Sequence, residues 1–127
     1  METMKNRVAV VTGAASGIGK ALSLAFAAEG SSVVLADVED EALAAAKAEV
    51  EALGVTALAV KTDVTDEESV ADLCSATLEA FGEVHILSNN SGVCGGRLIK
   101  NQQLVDWKWV IDVSLWGVIN GLSLIHI

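Results

Sequence analysis

Apolar residues follow two alternating rhythms along this chain. Short unbroken apolar runs, the mark of strands buried on both faces, occur at Arg7–Thr12 (RVAVVT), Ser32–Asp37 (SVVLAD), Val55–Lys61 (VTALAVK) and Val84–Asn90 (VHILSNN). Between them the apolar positions recur every three or four residues, which predicts helices. The first helix puts Ile18, Leu22, Ala25 and Phe26 on one face and stops at Gly30. The second, within EDEALAAAKAEVEALG, aligns Leu43, Ala46, Val50 and Leu53 and takes Gly54 as its C-cap. The third opens on a Thr65-x-x-Glu68 capping box and carries Val70, Leu73, Cys74, Leu78 and Phe81 as its apolar stripe. After a glycine-containing loop, LVDWKWVIDVSLWGVIN reads as one long helix. Four strands alternating with four helices predict an α/β fold, a doubly wound parallel sheet without linkers or repeats.

Composition narrows the class. A chain of 127 residues is one domain or part of one. With 52% hydrophobic and 20% charged residues, it has the makings of a packed core rather than disorder. Its net charge of −9 speaks against nucleic acid and anionic membrane surfaces as partners. No apolar run approaches the roughly 20 residues of a membrane span, and VAVV is too short for a signal-peptide core. Cys74 and Cys94, without a CxxC spacing, read as reduced, buried or semi-buried thiols, so a cytoplasmic location is expected. No metal site is expected, because neither His85 nor His126 has a second ligand at a suitable spacing. The Asn89–Ser91 glycosylation triplet reads as chance without a secretory signal.

The candidate chemistry lies where the first strand turns into the first helix, in TGAASGIG. Ligands of doubly wound sheets bind beyond the C-terminal strand ends. Gly13 lets the chain turn sharply, Gly17 leaves room for a pyrophosphate against the backbone, and Gly19 lets helix and strand pack closely. The helix N-terminus then offers free N–H groups and its positive dipole end to phosphate. A Walker A loop is excluded, since Ala14 and Ala21 stand where that motif needs Gly and Ser or Thr.

In its Gly-x-x-x-Gly-x-Gly spacing the turn resembles that of the classical short-chain dehydrogenases/reductases. Asp37, Asp63–Val64, Asn89–Gly92 (NNSG) and DWKWVIDVSLWGVING match the family pattern in order and spacing, over residues 5 to 121. The resemblance implies a partial Rossmann-type domain over residues 1–121 that ends after its fourth strand and following helix. It implies a cofactor site formed by Gly13, Ser16, Gly17, Ile18, Gly19, Asp37, Asp63, Val64, Asn90, Ser91 and Gly92. Asp37 would accept both adenosine ribose hydroxyls and repel a 2′-phosphate, and neither Val38, Ala15 nor Ser16 supplies a compensating cation, so NAD is preferred over NADP. Asp63 would accept from the adenine amino group while the Val64 backbone reads the ring edge; its other reading is a turn or capping aspartate. Ser91 stands where the family has Ala. Trp107, Trp109 and Trp116 read as core or interface anchors.

The implied reaction is hydride transfer between a nicotinamide and a small alcohol or carbonyl substrate, in a homo-oligomer. The family's catalytic tyrosine and lysine are missing: the chain contains no tyrosine, and Ser114 occupies the family's asparagine position. The chain therefore reads as the cofactor-binding half of an oxidoreductase, inactive alone. A further expectation concerns Leu122–Ile127 (LSLIHI), which back-translates to a transposon-end adapter sequence and is read as a non-native tail. The other readings are a non-catalytic NAD-binding module and another nucleotide-binding α/β protein such as a methyltransferase.

Overall fold

In a computed structural model, which describes residues 2–126, the chain folds around a four-stranded, wholly parallel sheet. The strands are β1 (Val8–Thr12), β2 (Ser32–Asp37), β3 (Ala57–Lys61) and β4 (Ile86–Ser88), in the spatial order β3-β2-β1-β4. The helices are α1 (Gly17–Ala28), α2 (Asp40–Glu51), α3 (Glu67–Phe81), α4 (Leu104–Ile111) and α5 (Gly117–Ile125). The doubly wound α/β architecture expected from the alternating rhythm is present.

The continuous apolar runs of β1 and β2 have a direct cause: both faces of the sheet are covered. On one face Val11, Val33 and Leu35 pack with Leu43, Ala46 and Val50 of α2. On the other, Val8, Val10, Val34 and Ala36 pack with Leu73 of α3 and Leu124 of α5. Val10, Val11, Val33 and Val34 are completely buried.

Several sequence expectations are corrected. The third and fourth strands are shorter than Val55–Lys61 and Val84–Asn90, because only Ala57–Lys61 and Ile86–Ser88 meet ladder partners. In α1 the buried residues are Gly19, Ser23 and Ala27, whereas Ile18 is 74% exposed and Ala25 is exposed. Close contact with the sheet selects small residues there, while Leu22 and Phe26 of the expected stripe pack, partly buried, at the edge of the core. In α2 Leu53 lies past the helix end and is exposed; the C-cap is Ala52, and Gly54 follows with φ +89°. The cap of α3 is Asp66, whose side chain accepts from the Glu68 N–H, not Thr65, whose hydroxyl donates to Asp63 instead.

The long helix is not regular. Between α4 and α5 the residues Asp112–Trp116 form a π-helical segment, and α5 runs on to Ile125. Within the expected tail, Leu124 is buried against the sheet, and Ile127 lies outside the described residues.

Candidate functional site

Beyond the C-terminal ends of the strands, where the chain reverses from the β2 side of β1 to β4, lies a cleft of about 500 Å³. Gly13, Ser16 and Ile18 form its base, and Asp37, Asp63 and Val64 one wall. Asn90, Ser91 and Gly92 form the other, so of the eleven residues expected at a cofactor site only Gly17 and Gly19 do not line it.

Those two glycines act on the shape of the base. Gly17 starts α1 with φ +55° and open space around it, so the backbone is bare where the helix begins. A Cβ on Gly19 would collide with the Gly13 carbonyl oxygen. Gly13 itself has φ +66°, and a Cβ there would lie 2.9 Å from Asn90 Nδ2. Ser16 caps α1 without a side-chain hydrogen bond, so the N–H groups of the first turn keep their capacity for an incoming anion.

Asp37 ends β2 and ties the base to the wall. Its Oδ2 accepts from the Ala15 N–H at 3.0 Å, and its Oδ1 from the Val38 and Glu39 N–H groups at 2.7 and 3.2 Å. Opposite, Thr12 organises the end of β4. Its hydroxyl accepts from the N–H groups of Asn90 and Ser91, both at 3.1 Å, and donates to the Ser88 carbonyl at 3.4 Å. The Asn90 side chain donates back to the Thr12 carbonyl at 3.1 Å. Neighbouring Asn89 points away from the cleft and donates to the Val118 carbonyl.

The turn after β3 is a closed local network. Asp63 Oδ1 accepts from the Thr65 N–H at 3.0 Å and hydroxyl at 2.7 Å, while the Asp63 N–H donates to Ser69 Oγ at 2.9 Å. Asp63 Oδ2 accepts from none of the described residues. Asp63 is thus a turn aspartate through one oxygen and lines the cleft.

Ser114 lies in the π segment. Its hydroxyl meets the backbone of Val93, with Oγ 3.4 Å from both the Val93 nitrogen and oxygen. It thereby links the loop after β4 to the long helix, next to Val93 and Val113 of the cleft.

Sequence reasoning missed Thr62, Thr65, Trp109 and Val113, which also line the cleft. Thr62 and Thr65 flank the recognised Asp63–Val64 pair, and Trp109 and Val113 stand four apart on one helical face, which was the available signal. Trp109 is therefore a cleft residue as well as an apolar surface residue. The thiols differ: Cys74 is half-buried as expected, and burial pushes its thiol up from the ordinary range, whereas Cys94, expected to be at least semi-buried, sits in the loop after β4 and is exposed. No described helix is long and apolar enough to cross a membrane.

Comparison with known proteins agrees with this arrangement. The chain is 40% identical over 119 residues to a 3-oxoacyl-[acyl-carrier-protein] reductase of Synechocystis, covering 93% of this chain and 48% of that protein. It superposes with TM-score 0.94 and 40% identity on a short chain dehydrogenase/reductase from Burkholderia phymatum in complex with NAD, covering 99% of this chain and 45% of that one. An NAD+-bound xylitol dehydrogenase gives TM-score 0.93 at 32% identity, over 98% of this chain and 48% of its own. The chain spans less than half the length of each of these proteins. The family described as short chain dehydrogenase matches residues 7–126, nearly the whole sequence. With its glycine turn, its Asp37 and its Asn89–Gly92 strand end arranged around one cleft, this chain belongs to the short chain dehydrogenase family.

Proposed function

We propose that this chain is the cofactor-binding part of an NAD-dependent oxidoreductase that interconverts an alcohol and a carbonyl. The observation that carries this reading is the convergence, on one cleft at the switch point of the sheet, of bare glycine backbone and an acidic strand end. The donor set fits a dinucleotide. The uncapped first turn of α1 and the side-chain-free Gly17 suit a pyrophosphate, and Asp37 suits a diol of the adenosine ribose. Asp63 Oδ2 and the Val64 backbone suit an adenine edge, and Asn90, Ser91 and Gly92 complete the wall beside the ribose.

When bound, the nicotinamide ring supplies the hydride donor or acceptor. The chain's own residues bind and orient. Asp37 also discriminates, because a 2′-phosphate would meet its carboxylate, and the nearby lysines are committed elsewhere. Lys20 pairs with Glu49 at 2.8 Å and Lys61 with Asp40 at 3.0 Å. A proton donor or acceptor of the tyrosine kind is not among the 127 residues. The chain by itself therefore binds without turnover, and the acid–base step belongs to residues outside this sequence.

Equilibrium titration of the chain with NAD and NADP tests the proposal, with Asp37→Asn as the informative variant. Removing the charge is expected to weaken NAD binding about tenfold or more, in line with the loss of charge-assisted hydrogen bonds. NADP should be bound no more weakly than before. Equal affinity of the unaltered chain for both nucleotides would overturn the NAD assignment, and failure to bind either would overturn the cofactor reading.

A further inference from the structure

We infer that Asn120 is a positioning residue that fixes the Val64 backbone from behind and so sets the width of the cleft at its Asp63–Val64 wall. The inference rests on the cofactor reading above. Asn120 is 8% exposed, and its Nδ2 donates to the Val64 carbonyl at 2.8 Å, across 56 residues of chain. One turn earlier on the same helix, Gly117 lets the two segments meet: a Cβ there would lie 2.7 Å from Val64 Cγ2. On its other side α5 is held to β4, because Asn89 Nδ2 donates to the Val118 carbonyl and Gly121 makes room for the Asn89 side chain.

The consequence comes from topology. β3 and β4 are opposite edges of the sheet, three strands apart, and each ends in one wall of the cleft. No sheet hydrogen bond joins those walls directly. Helix α5 joins them, with Asn120 gripping the turn after β3 and Asn89 gripping the helix from β4. The Thr65–Asp63 bonds make that turn rigid internally, but they do not anchor it to the far wall. The Asn120–Val64 bond does. The peptide that carries the Val64 carbonyl is thereby held at both ends, by Asn120 Nδ2 at its oxygen and by Asp63 Oδ1 at its Thr65 N–H.

Two variants separate positioning from mere support. Asn120→Leu keeps the shape and removes the donor; Asn120→Asp keeps the shape and turns the donor into an acceptor when ionised. The first measurement is amide hydrogen exchange of the chain without nucleotide. Both variants should speed exchange at Thr65 and Asp66 by about tenfold, the size of one buried hydrogen bond. Unchanged exchange there overturns the inference whatever the cofactor proves to be. The second is the ratio of affinities for NAD and its hypoxanthine analogue, which lacks the adenine amino group. Asn120→Leu should bring that ratio close to one, whereas a purely structural role would weaken both nucleotides equally and leave it unchanged, which would also overturn the inference. If the unaltered chain binds neither nucleotide, the cofactor reading fails, and accelerated exchange alone then supports the anchoring of Val64.

Discussion

A single methyl group at Gly19 is enough to push α1 away from β1. The Cβ of alanine there would collide with the Gly13 carbonyl and lie 2.6 Å from Asn90 Nδ2, and a backbone oxygen cannot swing aside as a flexible side chain can. Gly19→Ala is therefore expected to destabilise the chain by about 1–3 kcal/mol, as overpacking does, and to abolish dinucleotide binding. Gly17→Ala meets open space, so its cost is confined to the positive φ, about 1–2 kcal/mol. Thermal unfolding of the two variants checks the contrast, and a Gly19→Ala chain as stable as the parent would refute it. At this scale the sequence was legible where a residue's constraint is local. Gly13, Gly19 and Asp37 stand where the glycine turn and strand end placed them. Thr12 was not legible, because its role comes from holding the N–H groups of Asn90 and Ser91, nearly eighty positions away in the chain.

Among the elements, β4 is the most weakly held. It shares three register positions with β1, against five between β1 and β2. His85 extends the pairing below it: its own N–H donates to the Val8 carbonyl at 3.0 Å, and its Nδ1 accepts from the Val8 N–H at 3.0 Å. A backbone donor thus fixes the ring as an acceptor at Nδ1, leaving Nε2 toward Glu83 at 3.3 Å. His85→Leu would leave the Val8 N–H without its acceptor and is expected to cost about 1–3 kcal/mol. Hydrogen exchange should then report faster opening at Val8 than at Val34 of the central β2. Equal protection in parent and variant would count against this role. The helix after β4 shows what periodicity cannot supply. One extra residue within the π segment rotates everything beyond it by about 100° relative to a regular helix, and this turns Gly117, Asn120 and Gly121 toward Val64 and Asn89. The residue pattern predicted the helix but not its change of phase.

The whole molecule leaves one face uncovered. Trp107, Ile111, Leu115, Trp116 and Ile119 of the α4–α5 region are all exposed, with Trp116 at 51%. Beside them, β4 has β1 on one side and no described strand on the other. A patch and an edge of this kind favour association, and the net charge of −9 opposes it only through long-range repulsion that salt screens. Gel filtration of the 127-residue chain is expected to show species larger than its 13.1 kDa monomer, increasing with salt. Trp116→Lys should shift the population toward monomer, and a sharp monomer peak for the unaltered chain at high salt would contradict the expectation. The sequence by itself determined the alternation of strands and helices and the glycine turn, because each depends on neighbours within a few residues, and the parallel doubly wound sheet follows from that alternation through the one-handed strand–helix–strand connection. The tertiary structure alone decided which face of α1 is buried, where the long helix changes phase, and that α5 joins the two walls of the cleft from behind. Those features depend on contacts between segments dozens of residues apart, and the order of residues along a chain does not encode such distances.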